Sequence, residues 1–223
     1  TVDEGIVCAW ADPFQVHLRG RSGHAARPHE AVDTIVAAAN LIVSLQTLIS
    51  RGVDPNRSAV VSIGTLHSGT AQNIIAQDAL LKGTVRSTHC QTRKTTLDGL
   101  KRVVDSIGLM HGVEATLDFH NCIPAVENDA DTAENARKAA HRVDNVSSVM
   151  SQGASSLGAE DFAFYQQKVP GCMVRFGASL SARAGVSHSG TFDFDEEVLT
   201  LGASWYANAA WEWLCARYGK LLG

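Results

Sequence analysis

The sequence predicts an α+β protein: a ferredoxin-like β-α-β-β-α-β sandwich over roughly residues 12–122, followed by an incomplete α/β segment. Three observations predict it. Stretches near residues 14–19 and 113–120 alternate apolar and polar residues with period two, as half-buried strands do. Two long stretches between them repeat their apolar residues at helical spacing. Beyond residue 122 the pattern changes to helix and strand in alternation, the mark of an α/β layer.

The elements follow in order. Phe14, Val16 and Leu18 alternate with Gln15, His17 and Arg19, a strand with one buried face. From Glu30 to Ser50, apolar residues recur on one side (Val32, Ile35, Val36, Ala39, Ile42, Val43, Leu45, Ile49). Pro28 and Glu30 suit the first turn of that helix, and Arg51-Gly52 suits its end. Ala59 to Leu66 and Ala79 to Arg86 read as strands, joined by the turn residues of "HSGTAQN". Arg93 to Met110 is a second amphipathic helix with Leu97, Leu100, Val104 and Ile107 on one side, and Val113 to Phe119 a fourth strand. Antiparallel pairing with both helices on one face gives the split βαβ sandwich. Beyond it, Asn128 is expected to cap a helix through about Arg142, a short strand to follow near Val146 to Met150, and "GAEDFAFYQQKV" to turn helical from Ala159. "GCMVRFG" reads as a strand and Phe194 to Tyr218 as a long terminal helix.

Composition excludes several classes. The 223 residues are 45% hydrophobic, enough for a sizeable core. A net charge of −4 argues against a general nucleic-acid binder. No apolar run of 18 residues is present, so no membrane helix is expected. The five cysteines (Cys8, Cys90, Cys122, Cys172, Cys215) are scattered with no CxxC pair, which disfavours a zinc ribbon and points to a reduced, cytoplasmic setting.

Nine histidines are present, and none pair as HxxxH or HExxH, so no self-contained metal site is legible from spacing. Two stand out. His24 lies in "GRSGHAARPHEAVD", between a strand and a helix, beside Gly23, Ala25 and Ala26, whose small size lets a ligand approach the backbone. His188 lies in "GVSHSGTFDFDEE", before the acidic run Asp193, Asp195, Glu196 and Glu197, most of which helix capping explains. A surface or core-edge residue is the ordinary reading of either histidine.

"GRSGHAARPHEAVD", "SGTAQNIIAQ", "LKGTVRS", "GAEDFAFY" and "HSGTFDFDEE" stand in an order and spacing that resembles the metal-dependent amidohydrolases of the M20 peptidase family, nearest the aminoacylase, hippurate hydrolase and indole-acetyl-amino-acid hydrolase group. The resemblance covers nearly the whole chain. It implies that residues 1–11 end a first catalytic segment, that 12–122 form a lid or dimerisation domain, and that 123–223 are the returning part of a zinc-peptidase-like catalytic domain. Most of the family's metal ligands and its general-base glutamate belong upstream of the lid, in motifs this sequence does not contain. The expectation is therefore the C-terminal part of a longer enzyme, inactive by itself, with His188 the one metal ligand carried over.

The resemblance also implies the chemistry. A divalent metal (zinc foremost, manganese or another ion as alternatives) lowers the pKa of a bound water that attacks the amide of an N-acyl amino acid or small peptide-like substrate. His24 matches a lid histidine that reaches into the neighbouring subunit's site and donates to the carbonyl oxygen. Asn73 matches a lid asparagine that bonds the substrate, though an asparagine satisfying a turn is an equal reading from the residues alone. Arg86 stands where a bidentate partner for the substrate carboxylate would be, and an exposed strand arginine is its other reading. Glu160 and Asp161 match a motif near the site floor, but a helix start accounts for them fully. Arg175 is given no role. Ala76 stands where the family commonly has proline and Ala31 where glycine is frequent, both mild departures. The implied partners are a second copy of the chain, paired through the lid, and a small substrate; no nucleic acid or membrane is implied. Two other readings stay open: a non-catalytic dimerisation module, or truncated M20-like protein, and a ferredoxin-like regulatory domain. The second is disfavoured because "GAEDF" and "HSGTFDFDEE" lie outside the sandwich.

Overall fold

A computed structural model describes residues 1–146, 148–180 and 188–219. In chain order the elements are β1 (Gly5–Cys8), β2 (Trp10–Arg19), β3 (Gly23–His24), a 3-10 turn (Pro28–Glu30), α1 (Thr34–Ser50), β4 (Ala59–Ser68), β5 (Ile74–Ile75) and β6 (Asp78–Ser87). Then come α2 (Cys90–His111), β7 (Glu114–Phe119), β8 (Val126–Asn128), α3 (Ala130–His141), α4 (Phe162–Gln166) and α5 (Glu197–Tyr218). The chain forms two compact units, one of Cys8–Val126 with Ser155–Phe164, the other of Thr1–Val7, Glu127–Ala154 and Tyr165–Gly223.

The first unit is built on a four-stranded sheet of order β4-β6-β2-β7 in which every neighbouring pair is antiparallel. The alternation in β2 sets the register: Val16 sits opposite Leu81 on one side and Leu117 on the other. These residues share one core with Ala37, Leu41 and Leu45 of α1 and with Leu100, Val104 and Ile107 of α2. Val16, Leu18, Leu41, Leu45, Leu81 and Leu100 are fully buried. Burial of each such side chain contributes about 1.5–3 kcal/mol.

The helix boundaries depart from expectation for physical reasons. α1 does not begin at Glu30. Arg21 and Val32 exchange backbone hydrogen bonds, which holds the chain extended there, and Pro28–Glu30 closes its own short turn. Asp33 is the true cap, its Oδ1 accepting from the Ile35 and Val36 amides at 2.9 and 3.2 Å. α2 begins at Cys90, capped by the His89 ring, and ends at Gly112 with φ 66°, the left-handed stop that favours glycine.

Two contacts in this unit have energetic weight. Asp12, 1% exposed, accepts from Arg93 Nε and Nη2 at 2.7 and 2.6 Å, a bidentate pair between β2 and α2. That carboxylate lifts the Arg93 guanidinium pKa above its ordinary value, against the partial burial that lowers it. Gly83 pairs with Phe14, whose ring lies over it: a Cβ there would stand 2.6 Å from Phe14 Cζ and 2.4 Å from the Ser62 carbonyl oxygen. The backbone oxygen cannot swing aside, so Gly83→Ala should cost roughly 1–3 kcal/mol as overpacking. A urea midpoint unchanged from the parent protein would refute this.

The second unit packs α3 against α5. Ala133, Ala136, Ala139 and Ala140 form a small-residue face on which Trp205 rests, its Nε1 donating to the Ala136 carbonyl at 3.1 Å. Arg142 pairs with Glu212 between the same helices. Its sheet is the two-stranded β1–β8 pair. The strands expected near 146–150 and over 171–177 do not form among the described residues. These segments make isolated backbone bonds in place of a ladder: the Val2 amide donates to the Met150 carbonyl at 3.1 Å, Thr1 and Arg175 exchange backbone bonds, and the Asp129 amide donates to the Gly171 carbonyl at 3.2 Å. α4 and α5 also start later than expected, at Phe162 and Glu197.

Asn128 is not the cap of α3. Asp129 caps it, accepting from the Thr132 amide at 2.9 Å. Asn128 is buried, and its Nδ2 donates to the Asp3 and Met173 carbonyls at 2.8 and 2.9 Å while its Oδ1 accepts from the Met173 amide at 2.8 Å. Three chain segments meet on this one amide.

Candidate functional site

The segment from Gly20 to Val32 is an exposed arm held by backbone hydrogen bonds, not by burial. Its base is the Arg21–Val32 exchange, at 3.1 and 2.9 Å. Gly20 is required there, since a Cβ would stand 2.2 Å from the Val32 carbonyl oxygen. Gly23 is equally constrained, with Ala31 Cβ 2.8 Å from where its own would be. Arg21 Nε adds a hydrogen bond to the Glu30 carbonyl at 3.0 Å.

The arm's tip is tied to the loop that carries Asn73. β3 pairs with β5 in a second, two-stranded sheet, Gly23 opposite Ile75 and His24 opposite Ile74. The Ala25 amide donates to the Asn73 carbonyl at 3.0 Å. His24 and Asn73 are thus brought together, both exposed. Two further bonds shape the tip: the Arg27 amide donates to the His24 carbonyl at 2.8 Å, and the Ala26 amide donates to His24 Nδ1 at 3.0 Å.

Arg86 is not part of this group. It lies near the far end of β6 from Asp78, roughly 26 Å along an extended strand. The arm is anchored at the near end, where the Gly20 amide donates to the Gln77 carbonyl at 2.7 Å. Arg86 is half-buried, and its Nη1 donates to the Leu157 carbonyl at 3.1 Å. The Ala9 amide donates to the carbonyls of Ser156 and Gly158, both at 2.9 Å, so Ala9 and Arg86 together hold the loop that leads to Glu160 and Asp161. Those two carboxylates are exposed, and their backbone carbonyls accept from the Ala163 and Phe164 amides to start α4. Sequence gave no signal for the Leu157 contact, which joins residues 71 apart.

His188 belongs to the second unit and has φ 68°, in the left-handed region that histidine adopts rarely. Among the described residues no three His, Cys, Asp or Glu side chains stand together as a metal-holding group. The described residues therefore do not by themselves fit a metal centre. Burial pushes the Cys172 thiol up to about 11 and also raises that of Cys122, so these two stay protonated near neutral pH. Among the described residues no helix is long and apolar enough to cross a membrane.

The fold is mixed α/β with several sheets. Residues 13–212 match the model of peptidase family M20/M25/M40, and the chain belongs to that family. It is 34% identical to the N-acetylcysteine deacetylase of Bacillus subtilis over 209 residues, 94% of this chain and 53% of that protein. It is 36% identical to the N-acetyldiaminopimelate deacetylase of Enterococcus faecalis over 200 residues, 89% of this chain and 51% of the other. Among solved structures it is similar to the Bacillus subtilis YXEP protein, a dinuclear metal binding peptidase of the M20 family, with a TM-score of 0.73 at 31% identity over 94% of this chain and 51% of that one. The chain spans about half the length of the curated relatives it matches.

Proposed function

We propose that the whole protein is a metal-dependent amidohydrolase that cleaves the amide of an N-acyl amino acid or a small peptide-like substrate. It works in the cytoplasm as a homodimer. The four-stranded sheet with α1 and α2 is its ferredoxin-like lid, and the second unit is the returning part of its zinc-peptidase-like catalytic domain. Family membership supports the reaction class. His188 is a metal ligand, zinc being the first choice of ion, and the metal's chemistry belongs to a site this chain alone does not complete.

The observation that carries the reading is the separation within one chain. His24 and Asn73 are tied together at one end of β6, and Arg86 lies roughly 26 Å away near the other. A small substrate cannot touch all three in one copy. Two copies related by a two-fold axis bring the arm of one to Arg86 of the other. Ile35, Val36 and Val43 of α1 are 47, 49 and 69% exposed beside the sheet edge β4, an apolar strip suited to a second copy. At the shared site Asn73 and Arg86 hold the substrate, and His24 donates to the carbonyl oxygen as negative charge gathers there.

The test is turnover of a panel of N-acetyl amino acids by the protein as it occurs in the cell. Free amino acid should be released, release should stop with a chelator, and zinc or manganese should restore it. The 223-residue chain assayed alone should show no enzymatic rate. Metal-dependent turnover by that chain would refute its inactivity. A metal-loaded whole protein silent across the panel would favour a non-catalytic dimerisation module.

A further inference from the structure

We infer that the backbone amide of Ala26 is a positioning group that fixes the tautomer and direction of the His24 ring. The inference rests on the reading of His24 as a hydrogen-bond donor to substrate, and it names what makes the ring such a donor.

The Ala26 amide donates to His24 Nδ1 at 3.0 Å. An N–H can donate only to a ring nitrogen that carries a lone pair. Nδ1 is therefore the acceptor, and the proton of the neutral imidazole resides on Nε2. Nε2–H is then the ring's free donor, on the edge away from the chain. A ring turned the other way, or the opposite tautomer, would set a lone pair against a carbonyl oxygen and repel it.

Nothing else on the arm performs this task. His24 is exposed, and among the described residues the hydrogen bond given to its ring is that from the Ala26 amide. The direction of the Ala26 amide is fixed by bonds on either side of it. The Ala25 amide is held by the Asn73 carbonyl, and the Arg27 amide by the His24 carbonyl. The residue that ties the arm to Asn73 thus also adjoins the amide that aims His24. A donor aimed before substrate arrives has already lost the rotamer freedom that binding would otherwise remove. Position 26 needs a backbone N–H and a small side chain.

Two measurements in the protein test this. The first is the scalar coupling between the Ala26 amide nitrogen and His24 Nδ1 across the hydrogen bond, recorded about two units above the ordinary imidazole pKa of about 6.5. A resolved coupling with the proton on Nε2 is expected. The second replaces Ala26 by lactate, which exchanges the backbone N–H for an ester oxygen, keeps the methyl side chain and weakens the Ala25 carbonyl as an acceptor. It should lower kcat roughly 2- to 10-fold, the worth of one neutral hydrogen bond. KM should change by less than about twofold, because the donor acts mainly in the transition state. Ala26→Gly keeps the N–H and should keep the coupling. No coupling with a ring that averages both tautomers, or an Ala26→lactate protein at full kcat while His24→Ala is impaired, overturns the inference. A resolved coupling beside a fully active His24→Ala protein overturns the catalytic reading of His24 instead.

Discussion

His24→Ala should lower kcat by roughly 100- to 1,000-fold in the whole protein, with fold and metal content unchanged. That is the usual loss when one donor to a developing oxyanion is removed. The charge it meets appears mainly in the transition state, so kcat falls more than substrate binding does. The ring is exposed and supports no core, which is why stability should be spared. If the arm serves the partner's site, mixing His24→Ala with a variant whose metal site is broken should restore part of the activity. Each mixed dimer then holds one site with intact metal and intact donor. Sequential affinity purification through a different tag on each variant establishes that mixed dimers formed. Verified mixed dimers without recovery would return His24 to its own subunit's site or remove it from catalysis. A solvated loop histidine predicts near-parental rates for the single variant.

Arg93→Met should destabilise the fold by about 3–5 kcal/mol, the cost of leaving a buried carboxylate without its partner. Asp12 is 1% exposed and both its oxygens accept from Arg93. Asp12→Leu combined with Arg93→Met should recover most of the loss, because the charge and its partner leave together. Urea unfolding monitored by circular dichroism reads both. A single variant within about 1 kcal/mol of the parent would mean that the pair is better solvated than its burial implies.

Much of the first unit was legible because its signals are local. The alternation in Phe14, Val16 and Leu18 and the helical spacing of Leu100, Val104 and Ile107 each mark a buried face, and those residues form one core. Boundaries were less legible. Pro28 and Glu30 look like a helix start by residue type, but the Arg21–Val32 exchange keeps the chain extended until Asp33 caps α1. In the second unit, residue type shows β preference over 146–150 and 171–177 but not whether a continuous ladder partner lies alongside.

The candidate site divides in the same way. The motifs around His24, Asn73, Arg86 and His188 were readable in the sequence, as was the need for small residues beside His24. Their grouping was not. The tie between β3 and β5, the commitment of Arg86 to the Leu157 carbonyl and the hub at Asn128 join residues far apart in the chain. By itself the sequence determined which residue types face the core, which loops carry chemistry and which family the motifs resemble, because each of these is written in spacing over a few turns or strands. Only the tertiary structure decided which polar groups meet, which carbonyl an arginine serves and which ring nitrogen of His24 is free, because a hydrogen bond depends on distance and direction between atoms whose separation the order of residues does not set.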